Sequence, residues 1–171
     1  MPSAPAAAKS FSGLERLKAV RERKLYFSET RDPVEPNDPN LTKYFITVEG
    51  VTPKTFDMNF SEPDIIVEQG TVEDWMVENR AKEAHSFHIH QLHFQLLGRD
   101  GVEVNEPMLR DTIDLPYWDG KSAHYPSVKL RMDFRNPNIV GTFVYHCHIL
   151  EHEDGGMMGS IRVIRSRKQG R

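Results

Sequence analysis

GTFVYHCHILEHEDGGMMGSIRVI, residues 141–164, holds two runs of strand-like composition around a segment crowded with metal ligands. GTFVYHCH and MGSIRVI are both rich in β-branched or aromatic residues and are bounded by glycine. The chain's single cysteine, Cys147, stands between His146 and His148, with His152 and the pair Met157 and Met158 following. One cysteine excludes an internal disulfide. Cys147 is therefore a buried thiol, a nucleophile or a metal ligand.

Working outward, the body repeats the pattern of these two runs. KLYFS, KYFITV, DIIVEQ, TVEDWMVENR, HIHQLHFQLLG, DTIDL and SVKLRMDF all read as strands, separated by turns such as EPNDPN, VTPK, RDG and RNPNIVG. No long amphipathic helix and no internal repeat interrupt them. The expectation is an all-β domain, a β-sandwich or small Greek-key barrel of about eight strands. Residues 1–22 read as a linker or N-terminal extension, 23–165 as the domain and 166–171 as a flexible tail.

Seven of the eight histidines lie in two stretches, HSFHIHQLH (His85, His88, His90, His93) and HCHILEH (His146, His148, His152). Alternate residues of a strand share a face. His146 and His148 therefore point away from Cys147, and His88 and His90 away from His85. If the two strands are neighbours, one side presents Cys147 with His85 and the other four histidines. Two different metal sites would lie back to back.

On the cysteine side, His152 and Met157 complete a Cys–His–His set with a weak methionine ligand. That is the blue-copper electron-transfer arrangement. Met157 is preferred to Met158 by spacing, and Gly155 and Gly156 allow the loop to return over the metal. The opposite face, with four imidazoles and no thiol, fits part of a larger cluster. A zinc hydrolase or a copper-storage protein built on that face is the competing class. Zinc hydrolases usually include carboxylates in the ligand set and would have no use for the Cys–His–Met loop.

HSFHIH resembles the HPFHLH-type motif of multicopper oxidases, with Ser86 where proline is usual, and HCHILEHEDGGMM resembles the HCHxxxHxxxxM motif that closes their C-terminal cupredoxin domain. The likeness runs from about Lys24 to Ile164. Plastocyanin-like carriers and copper nitrite reductases lack the second histidine beside the cysteine. The resemblance implies a cupredoxin-like fold and assigns His85, Cys147, His152 and Met157 to a type 1 copper. It gives His88 to a type 2 copper and His90, His146 and His148 to the type 3 pair.

An oxidoreductase of the laccase-like class is thereby implied, with copper as cofactor and O2 as acceptor. A donor would give single electrons at type 1 copper, and they would pass through Cys147 to a trinuclear cluster reducing O2 to water. Glu153 is expected to relay protons there. Two HxH pairs supply half of that cluster, so other cupredoxin domains of the same oxidase, or further subunits, are the expected partners. A single-domain electron-transfer cupredoxin without oxidase activity is the second reading.

The formal net charge of −3 argues against a general nucleic-acid binder. No apolar run approaches the ~20 residues of a membrane span. The start MPSAPAAAKS has no signal-peptide h-region, although the resemblance implies a periplasmic or secreted protein. A small organic donor or a metal ion is the expected electron source. The basic residues Arg16 to Lys24 read as a solvated segment, His93 as a core or hydrogen-bonded histidine, and His124 as a surface residue.

Overall fold

A computed structural model of the chain describes residues 13–31, 42–59 and 62–166. The Ala/Pro start, the EPNDPN turn and residues 167–171 of the tail lie outside the described residues. Among the described residues twelve strands form two sheets, a two-layer sandwich of the kind the alternating pattern predicts. In the first sheet are β1 (Arg21–Thr30), β2 (Lys43–Val48), β4 (Val72–Asn79), β10 (Ser127–Asp133), β6 (Phe94–Arg99), β7 (Val102–Glu103) and β8 (Leu109–Arg110). Its order is β2-β1-β4-β10-β6-β7, with β8 also on β6. The second sheet runs β3 (Ile65–Glu68), β12 (Met158–Ile164), β11 (Gly141–Cys147), β5 (His85–Ile89) and β9 (Thr112–Leu115).

Twelve strands exceed the expected eight for two reasons. Two of them, β7 and β8, are two-residue pairings. HIHQLHFQLLG, read as one strand, is two: Gln91 takes a positive φ of 66° and turns the chain from β5 in the second sheet to β6 in the first. His93 therefore lies between strands and is exposed, not in the core.

Between the sheets the core is built from alternate residues. Phe143, Tyr145 and Cys147 of β11 face inward with His85, Phe87 and Ile89 of β5, against Leu25, Phe27, Trp75, Val77, Leu130 and Met132 of the first sheet. Each large apolar side chain buried in this way contributes about 1.5–3 kcal/mol. Tyr145 packs its ring edge-on to Trp75, centroids 6.0 Å apart, over the glycine at 159. A Cβ at that position would overlap the tyrosine ring.

Buried charges are paired. The Glu73 carboxylate accepts from Arg23 at 2.6 Å and from the Trp75 indole at 2.9 Å. Asp74 accepts from Arg131 at 2.8 Å. Lys24 pairs with Glu78 at 2.6 Å. The end of the basic segment is thus part of β1, with Arg23 covered and ion-paired and Lys24 ion-paired but still exposed to solvent. Before it, a 3-10 turn at Leu14–Arg16 buries Leu14, and the Val20 amide donates to the Val72 carbonyl at 2.8 Å.

Candidate metal centre

Antiparallel pairing of β11 with β5 sets Cys147 opposite Phe87 and His146 opposite His88. This register brings the two histidine stretches together, and the pleat sorts them onto two faces. On the inner face, His85 Nδ1 lies 3.7 Å and His152 Nδ1 3.5 Å from Cys147 Sγ, and the two nitrogens are 3.0 Å apart. His152 comes from a short helix, α1 (Leu150–Asp154), that follows β11 directly. Phe27 stacks on His85 at 4.8 Å and Tyr44 on His152 at 4.3 Å, which fixes both ring planes.

Glu83 sits on the far edge of His152, its Oε2 3.3 Å from Nε2. A carboxylate there holds the proton on Nε2, so Nδ1 carries a lone pair toward the thiol. His85 Nε2 is buried without a hydrogen-bond partner among the described residues. Three donor atoms with separations of 3.0–3.7 Å match ligands bonded to one ion at about 2.0–2.3 Å. One soft thiol and two imidazoles suit copper, so the residues fit the metal. Burial, and then the nearby His152, lowers the His85 pKa to about 3. Burial also raises the Cys147 thiol pKa, while the amides of Ser86 and Ile149 oppose that rise by hydrogen bonding to sulfur.

Met157 is fully buried in the core beside these groups, whereas Met158, on the opposite pleat, is half-buried and paired with His146. The loop carrying His152 and Met157 is tied by its own backbone. The Cys147 amide donates to the Met157 carbonyl at 3.0 Å, and the Met157 amide to the His152 carbonyl at 2.9 Å.

On the outer face, His88, His90 and His146 form a second group. His90 Nε2 and His146 Nε2 are 3.1 Å apart. His88 Nδ1 is 2.9 Å from the Asp111 carbonyl and His146 Nδ1 is 3.0 Å from the Cys147 carbonyl. Each Nδ1–H donated to a carbonyl leaves an Nε2 lone pair for a metal. His148 stacks edge-on to His88 at 5.1 Å, exposed at the end of the strand. Burial lowers the pKa of both His88 and His90, and the neighbouring His146 adds to the fall. Glu153 approaches this face, with Oε2 3.4 Å from His146 Nδ1.

A family model described as multicopper oxidase matches residues 31–167. The chain belongs to the multicopper oxidase family. Copper is the cofactor of that family, which the donor set above suits. A multicopper oxidase of Staphylococcus aureus is 37% identical over 126 residues, covering 70% of this chain and 25% of that protein. A laccase of Bacillus subtilis is 32% identical over 103 residues, 52% of this chain and 20% of that protein. Among solved structures, a multicopper oxidase from Campylobacter jejuni described as a metallo-oxidase matches with a TM-score of 0.65 and 28% identity. The match covers 87% of this chain and 31% of that one. This multicopper oxidase chain thus spans about a quarter of the first curated relatives' length.

Two groups of the site escape a reading of the sequence. Glu83 lies between β4 and β5 with no motif around it. Its position depends on Asn79, which is fully buried and whose side-chain nitrogen donates to the Glu83 carbonyl at 2.8 Å and to the Pro116 carbonyl at 2.9 Å. The second is the Ser86 amide, a backbone group that residue type does not reveal.

Proposed function

We propose that this chain is the domain through which a laccase-like multicopper oxidase takes single electrons at a type 1 copper held by His85, Cys147, His152 and Met157. A trinuclear copper cluster would receive those electrons, and His88 would hold part of it at the type 2 position and His90, His146 and His148 at type 3. Copper supplies one-electron exchange at the first site and the reduction of O2 to water at the second. The residues supply geometry. Cys147 joins both sites covalently, because the histidines of the outer face flank it in the chain.

The observation that carries this reading is the convergence of Cys147 Sγ with two imidazole nitrogens at 3.5 and 3.7 Å, back to back with the second imidazole group. Glu153, beside His146, is placed to pass protons toward the outer face. Further imidazoles, from another cupredoxin domain or subunit, complete the cluster. The donor is a small organic molecule or a metal ion, and the protein acts in the periplasm or outside the cell.

The test is to load the purified chain with copper, count the metal and record the visible spectrum beside Cys147→Ala. An intense thiolate-to-copper band, absent from the variant, is expected with about one copper per chain. No band from the wild-type chain would overturn the type 1 assignment. Because the described outer face presents only part of a cluster, an electron-transfer cupredoxin is the second reading. Copper-dependent O2 consumption with a donor, once the remaining domains are supplied, separates the two.

A further inference from the structure

Ser86 occupies the position where the motif it resembles carries proline. Its backbone bonds the first stretch to the second. The Ser86 amide donates to Cys147 Sγ at 3.4 Å, and the Ser86 carbonyl accepts from the His148 amide at 2.8 Å. The sulfur is fully buried, so water does not compete for its lone pairs. Proline has no N–H and could not make the first of these bonds. The Ser86 side chain makes no hydrogen bond among the described residues, so what distinguishes serine here is its amide.

A hydrogen bond to a thiolate draws charge from sulfur and weakens its donation to an oxidised metal, which favours the reduced state. We propose that the Ser86 amide is a positioning group that sets the reduction potential of the type 1 copper, making this site a stronger oxidant than the same site with proline at residue 86. Electron donors that are harder to oxidise come within its reach. The inference rests on the type 1 reading above and specifies how that site is tuned.

Ser86→Pro removes the donor and is compatible with the chain, since the preceding His85 is in strand β5, the conformation that proline imposes on its neighbour. Ser86→Ala keeps the amide. The measurement is the reduction potential of each copper-loaded protein, with the blue band recorded alongside. One hydrogen bond is worth about 0.5–1.5 kcal/mol net. Ser86→Pro is therefore expected to shift the one-electron equilibrium up to about tenfold toward oxidised copper, a fall of up to about 59 mV. Ser86→Ala is expected to stay at the wild-type potential.

Equal potentials in wild type and Ser86→Pro, or an equal fall in Ser86→Ala, overturn the inference while leaving the type 1 reading intact. A wild-type chain with no blue band removes both. If Ser86→Pro fails to fold, the wild-type chain loaded with 113Cd answers instead. Scalar coupling between the cadmium and the Ser86 amide proton supports the hydrogen bond, and its absence overturns it.

Discussion

His85 is enclosed between Phe27 and His152, and the cost of charging it there has a consequence for the metal-free protein. Its pKa is about 3 in the folded chain against an ordinary 6.5. Above 6.5 the imidazole is neutral in folded and unfolded states alike. Below 6.5 only the unfolded state takes up the proton, so stability falls as the pH drops from about 6.5 toward 3, by up to about 1.4 kcal/mol per pH unit for such a group. Denaturant midpoints of the metal-free chain at pH 7, 5.5 and 4 are expected to show this slope, and His85→Leu is expected to lessen it. An unchanged slope in the variant would remove His85 as its source.

Glu83 is the second residue with a measurable role. Its carboxylate, 35% exposed, lies against His152 Nε2, and on the type 1 reading it would present an acidic group to an approaching donor. In the assembled oxidase, Glu83→Gln is expected to raise KM several-fold for a cationic donor and less for a neutral one. Equal changes for both donors would count against an electrostatic contribution.

At the scale of elements, the β11–β12 pairing depends on a missing side chain. Val144 faces Ser160 and Tyr145 faces Gly159 across the ladder, and the Tyr145 ring fills the space a Cβ would need. Overpacking of this kind costs about 1–3 kcal/mol. Gly159→Ala is expected to lower the denaturant midpoint accordingly, and Gly159→Ala with Tyr145→Phe to recover little of it, because ring carbons clash as well as the hydroxyl.

These elements also explain what could be read from the chain in advance. Strand parity is a local property, so the separation of Cys147 and His85 from His88, His90 and His146 was legible from spacing alone. The break at Gln91 was not, since a non-glycine residue with positive φ carries no composition signal. Glu83 reaches His152 only because Asn79 is pinned to Pro116, a contact 37 residues away in sequence. The paired state of Arg23 and Lys24 likewise depends on β1 running parallel to β4, a non-local pairing.

For the whole molecule, one sheet serves as the partition between the Cys147 face and the face of His88, His90 and His146. Variants of the outer face should therefore act on one side only. In the assembled oxidase, His90→Ala is expected to lower the copper content while leaving the thiolate band in place, as metal counting beside the absorption spectrum would show. Loss of the blue band in that variant would mean that the two faces are not separate. Among the described residues no helix is long and apolar enough to cross a membrane, and the core is confined to the space between the sheets.

The bond from the Cys147 amide to the Met157 carbonyl makes the ligand segment a closed ring whose two ends meet at a fixed joint. His152, held inside that ring by α1 and by the Met157 amide, is carried with the cysteine and methionine as one piece. A change that opens the joint would release all three side chains together, whereas a substitution at the exposed Glu151 or Asp154, on the outside of the ring, would leave their spacing alone.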